Sequence, residues 1–204
     1  ISDVITFFFD NNNRMWVIMK GYNRCYDLQE DPVTGNITLA SQKSGLEHHM
    51  PLIYCNHDDG AVYYVDKEYN LYTFYIESKK KEFVVNLGTK IQAHDRISTI
   101  IKYHDSFFVG LMIDGVLTLD KQKGSDEYLI QPLPLNSGVF SLVKDRFQDF
   151  IWIATDGQGV YLYSNPLYSI KSVVLNNYTD KIERPVRALL LDKERTFWIG
   201  TKGN

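Results

Sequence analysis

The chain is expected to be all-β: a β-propeller fragment of about four full four-stranded blades plus the first two strands of a fifth. Three observations predict this. An aromatic residue recurs at near-constant spacing. Short stretches rich in β-branched and aromatic residues, bounded by Asn, Asp and Gly turns, fill each interval. No stretch of 11 or more residues keeps a helical apolar period.

The anchors come first. Trp16, Trp152 and Trp198 stand in similar surroundings, Arg14-Met15-Trp16-Val17-Ile18, Phe150-Ile151-Trp152-Ile153-Ala154 and Phe197-Trp198-Ile199-Gly200. Stepping back from Trp152 by a similar distance reaches Phe108, and one more step reaches Tyr63, so the gaps run 47, 45, 44 and 46. Other positions keep the phase. Phe74, Leu119 and Tyr163 follow their anchors by 11 residues and Tyr26 follows Trp16 by 10, while Asp10, Asp145 and Asp192 precede theirs by 6 or 7. Agreement of several positions at one period of 20–50 residues marks a repeat architecture.

Within one period, the first strand reads as an apolar stretch such as Ile5–Phe9, Val139–Val143 or Val186–Leu191 that stops at an Asp. A turn follows, Asn11-Asn12-Asn13 in the first unit and Asp58-Asp59-Gly60 in the second. The anchor strand comes next, then a Gly-bearing turn such as Asp156-Gly157-Gln158-Gly159. The third strand alternates, as in Val160-Tyr161-Leu162-Tyr163. A fourth is expected at Ile37–Leu39, Phe83–Val85, Tyr128–Ile130 and Ser172–Leu175. Four strands in about 45 residues is the size of a propeller blade, whose two faces are buried only by neighbouring blades. The anchor ring is expected to fill the gap between sheets. The blades are placed at residues 1–45, 46–92, 93–136 and 137–182, with a partial blade at 183–204. The last unit stops after its second strand, so the chain is expected to be a truncated piece of one larger propeller domain.

Composition excludes several function classes. The 204 residues carry 22 Lys plus Arg against 25 Asp plus Glu, a net charge of -3. That balance offers neither a phosphate-backbone footprint nor a polybasic surface for anionic lipid, so neither nucleic-acid nor membrane contact is expected. Apolar runs stay far below 18 residues. No initiator Met, signal peptide or transit peptide is visible, so an internal segment is expected. Cys25 and Cys55 lack metal-site spacing and read as two half-buried thiols or as one bridge between neighbouring strands.

Motifs for chemistry are sparse. No nucleophile motif, P-loop or zinc signature is present, so no catalytic residue, metal ligand or cofactor is assigned. Gly157-Gln158-Gly159 reads as a hairpin turn, since no third Gly or helix follows. His48-His49 on a strand would point to opposite faces and could not readily share an ion. Asp58-Asp59 and Asp126-Glu127 read as turn acids rather than a glycosidase pair. Lys79-Lys80-Lys81 reads as a loop or edge-strand guard. Asn36-Ile37-Thr38 and Asn177-Tyr178-Thr179 fit the glycosylation pattern. A propeller recognises ligands on the rim where second-to-third-strand turns and inter-blade loops meet. There Tyr22, His48, Tyr69, Arg96, Gln158 and Arg184 are the candidate ligand-binding residues, planar polar groups beside aromatics that suit a hydroxyl-rich ligand.

Residues 139–163 and 186–201 resemble the two-component-regulator propeller repeat, which ends in a tryptophan, isoleucine, glycine, threonine run, then a Gly-rich turn and a tyrosine. The match is good for 139–204, fair for 1–28 and weak for 46–136, where Tyr63 and Phe108 replace Trp and Lys67-Glu68 stands where the fourth unit has Asp156-Gly157. The resemblance implies the periplasmic sensor region of a bacterial hybrid two-component system, an inner-membrane histidine kinase responding to oligosaccharides. It implies a non-enzymatic segment whose partners are an oligosaccharide, the remaining blades, downstream sensor domains of the parent chain and a second copy in a homodimer. A propeller glycoside hydrolase or lyase, and a ligand-free protein-interaction scaffold, are the alternatives.

Overall fold

The computed structural model describes residues 4–46, 51–58, 60–164, 169–173 and 185–202, with 169–173 described by backbone alone. Among these the protein is all-β. Four antiparallel sheets have four strands each and a fifth has two, every sheet running in simple sequence order. They are propeller blades. The chain divides into two compact units, Ile1–Lys90 and Ile91–Asn204, taken separately below.

The first unit holds two blades. One is β1 (Val4–Phe9), β2 (Arg14–Met19), β3 (Asn23–Glu30) and β4 (Ile37–Gln42). The other is β5 (Leu52–Asp58), β6 (Ala61–Asp66), β7 (Asn70–Tyr75) and β8 (Lys80–Asn86). The second unit continues with β9 (Ile97–Tyr103), β10 (Ser106–Leu111), β11 (Gly115–Lys121) and β12 (Tyr128–Pro132). Then come β13 (Val139–Lys144), β14 (Phe150–Thr155), β15 (Val160–Ser164) and β16 (Ser169–Val173). The pair β17 (Val186–Leu191) and β18 (Phe197–Thr201) completes the second unit. The fourth strand expected at Ser172–Leu175 starts earlier, at Ser169 opposite Ser164, and residues 174–175 lie outside the described residues.

First strands of successive blades pack together, β1 on β5 in the first unit and β9, β13 and β17 in the second. The seam between blades explains the repeat. Each phase-keeping residue on the third strand pairs with the residue just before the anchor: Tyr26 with Met15, Phe74 with Val62, Leu119 with Phe107, Tyr163 with Ile151. Alternation along a strand therefore puts anchor and third-strand aromatic on opposite faces. The anchor of one blade meets the third-strand aromatic of the next. Trp16 lies 6.3 Å from Phe74, and Phe108 lies 4.9 Å from Tyr163 in an edge-on contact. Trp152 packs at 4.4 Å on Phe197, the residue before the following anchor. Trp16, Tyr63 and Phe108 are buried and Trp152 is half-buried. Trp198 is 59% exposed, and no described residue faces it as Phe197 faces Trp152.

The spaced aspartates have a local job. Asp10 Oδ2 accepts the Trp16 indole N–H at 2.9 Å, Asp145 that of Trp152 at 3.0 Å, and Asp192 that of Trp198 at 2.8 Å. The other oxygen of each carboxylate takes two backbone N–H groups of its own turn. One side chain thus fixes both the first hairpin and the anchor rotamer. Asn13 and Arg195 adopt positive φ in two of these hairpins, and His104 does so in the β9–β10 turn.

Burial by itself raises the Asp10 carboxyl. The Trp16 indole, the backbone N–H groups of Arg14 and Asn12, and the Arg14 side chain outweigh it and hold the group below its ordinary value of 3.8. A depressed folded-state value contributes stability above the unfolded value and loses it as pH falls through the folded one. Asp10→Asn puts an amide N–H against two donors, so we expect a loss of about 1–3 kcal/mol at pH 7 by urea unfolding. The gap from wild type should close as pH drops below 3.8. A gap that stayed constant down to acid pH would refute the role.

Cys25 and Cys55 are both buried and free, and both belong to the apolar cluster around Trp16. Burial pushes both thiols up, Cys55 to about 12. Native protein should therefore react with an aromatic disulfide at well under one-hundredth of the rate of a free thiol at pH 8, and at the full rate in urea. Fast labelling in the native state would contradict this packing.

Candidate functional site

The rim that carries the second-to-third-strand turns is also where every first strand begins, and each begins with a β-bulge. Register shifts lie between Val4 and Thr6, Leu52 and Tyr54, Val139 and Ser141, and Val186 and Ala188. In the third blade the shift falls between the partners Thr99 and Ile97. The extra residue is the second of each strand: Ile5, Ile53, Ser98, Phe140 and Arg187. A bulge frees one residue from the ladder and re-aims its side chain, which suits the edge of a binding surface.

Among the described residues a backbone clasp closes four of the five strand pairs beyond the bulge. The N–H following the second strand donates to the carbonyl preceding the first: Lys67 to Pro51, Met112 to Arg96, Asp156 to Gly138 and Lys202 to Pro185. Lys67 and Asp156 are thus structurally equivalent, so the middle units keep the blade geometry where their motif departs. Gly138 shows how tight the clasp is, since a Cβ there would lie 1.9 Å from the Met112 carbonyl oxygen.

In the first unit, Tyr22 caps the β2–β3 turn, with Met19 N–H bonded to its carbonyl. Tyr22 is 51% exposed and the Arg24 guanidinium stands 5.7 Å from its ring. Tyr69 sits half-buried at φ 63° in the β6–β7 turn. Asp66 holds that turn by accepting from the N–H of Glu68 and Asn70 and from Asn70 Nδ2. His48 lies outside the described residues.

In the second unit, Asp95 is 4% exposed and accepts from the N–H groups of Arg96, Ile113 and Asp114, tying the β8–β9 loop to the β10–β11 turn. Arg96 itself is exposed just ahead of β9. Gln158 is exposed yet committed: its Nε2 donates to the Asn136 carbonyl and its Oε1 accepts from the Tyr161 hydroxyl, both at 3.1 Å. It braces the rim. Arg184 lies outside the described residues. Of the six candidates, Tyr22 and Tyr69 share a rim in the first unit, and Arg96 and Gln158 in the second.

Sequence reasoning overlooked Phe140 and Arg187. The Arg187 guanidinium carbon lies 3.6 Å from the Phe140 ring centroid, bringing together the bulge residues of neighbouring first strands. Both are half-buried. The available signal was Arg187 itself, a charge inside the otherwise apolar Val186–Leu191 strand.

The acidic pairs are turn residues or lie elsewhere. Asp126 is fully exposed and pairs with Lys121 at 2.9 Å on the opposite rim, beside an open polar cleft of about 540 Å³. Asp59 lies outside the described residues. Buried Asp10, Asp66 and Asp95 each accept from backbone N–H groups, so all three carboxylates hold turns.

No family model matches the chain, and no curated protein matches it. Solved structures do. The extracellular domain of BT4673 from B. thetaiotaomicron, described as a one-component system, aligns over 98% of this chain with a TM-score of 0.56 and 17% identity. PorZ, a surface component of the type-IX secretion system of Porphyromonas gingivalis, aligns over 98% with a TM-score of 0.60 and 14% identity. The computationally designed Ika8 protein aligns over 94% with a TM-score of 0.58 and 14% identity. The chain spans 31% of the length of each of the first two and 53% of the third. The likeness is one of fold.

Proposed function

We propose that this chain is a ligand-sensing segment of an extracytoplasmic β-propeller, part of a hybrid two-component sensor histidine kinase of the inner membrane that responds to oligosaccharides in the periplasm. The observation that carries the reading is the blade repeat, Asp–Trp hairpin lock included, in a chain whose fold matches 31% of an extracellular domain described as a one-component system. The segment binds rather than catalyses. Ligand on the bulged rim changes how the propeller packs against partner domains and a second copy, and so biases signalling by differential affinity for two arrangements.

Calorimetry of the complete extracytoplasmic region against a panel of glycan fragments tests this. We expect one fragment class to bind with micromolar affinity and the rest to give no heat. Silence across the whole panel would overturn the oligosaccharide reading.

A further inference from the structure

We propose that Phe140 and Arg187 form a carboxylate-binding subsite on the bulged rim, so that the recognised oligosaccharide is an acidic one. The inference rests on the sensor reading and narrows its ligand class.

Four observations lead there. Both residues are bulge residues at the starts of β13 and β17, strands that pack together, so both side chains leave the ladder on the same rim. Arg187 is stacked on the ring at 3.6 Å, which fixes the guanidinium plane and leaves its N–H edges for a ligand. Among the described residues Arg187 has no carboxylate partner, whereas Arg14 is paired with Asp10. Arg187 is half-buried, where a charge-assisted bond is stronger than in open water. A preoriented planar fork with open donors matches a planar carboxylate through two parallel N–H···O bonds. Arg96, exposed at the start of the neighbouring β9, adds a second cation to the same rim.

The carboxylate could arrive on a sugar chain or as a small free acid, and the test separates them. Calorimetry uses the complete extracytoplasmic region with tetragalacturonate, tetraglucuronate and tetramannuronate, the neutral methyl ester of each, and the three free uronates. We expect at least one acidic tetramer to bind 10-fold or more tighter than its ester, and the free uronate more weakly than the tetramer. Arg187→Ala should lower that affinity 10- to 100-fold with an unchanged melting curve, Arg187→Lys should recover only part, and Phe140→Ala should weaken binding about 10-fold.

A free uronate that bound as tightly as its tetramer would support the carboxylate subsite and overturn the oligosaccharide source. Acid and ester of equal affinity, or a neutral ester alone binding, would overturn the subsite and leave the sensor reading standing. Silence from every tetramer, with neutral glycans of other kinds still bound, would reject the acidic class alone.

Discussion

In the 204-residue chain by itself, Trp16→Ala should cost about 3–5 kcal/mol in urea unfolding, while Trp198→Ala should cost about 1 kcal/mol or less. The two tryptophans hold the same repeat position and the same indole-to-aspartate bond. They differ in cover. Trp16 is 1% exposed and packs with Phe8 at 5.8 Å and Phe74 at 6.3 Å, whereas Trp198 is 59% exposed. Truncating Trp16 opens a cavity in the seam between the first two blades and leaves Asp10 Oδ2 without its indole donor. A pair of equal losses would mean that the aspartate bond, rather than the seam, sets the anchor's contribution.

Gly138→Ala should cost about 3 kcal/mol, near the upper end for overpacking, and Gly21→Ala should change stability by about 0.5 kcal/mol or less. At Gly138 the added carbon would sit 1.9 Å from the Met112 carbonyl oxygen and 2.7 Å from its carbon, both backbone atoms of the β10–β11 turn. Relief requires moving that turn or the carbonyl that accepts from Asp156 N–H. At Gly21 nothing lies within 4 Å. The midpoint of urea unfolding reads both. A tolerated Gly138→Ala would show that the clasp has slack and would weaken its use as a fixed frame for the rim.

Much of the fold was legible because a blade repeats its burial problem. Each sheet has two faces to cover, so an aromatic must recur on each face, and Trp16 with Tyr26 or Trp152 with Tyr163 exposes the period directly. The aspartates were legible as spacing, though their bond to the indole is a contact that spacing alone does not state. The bulges were not legible. A bulge is a property of pairing between strands, and Ile5, Ile53, Ser98, Phe140 and Arg187 share no chemistry that would mark them as one position. Loop position drew attention to Gln158, whose amide is occupied by Asn136 and Tyr161, and away from Arg187, which sits in a strand.

The anchor and the third-strand residue that meets it recur in the seams, while the second residue of the first strand changes from blade to blade: Ile5, Ile53, Ser98, Phe140, Arg187. With the rim subsite proposed above, stability and recognition would draw on separate positions of one short unit. Copies of such a unit can diverge in what they bind, residue by residue along the row, without renegotiating how they stack.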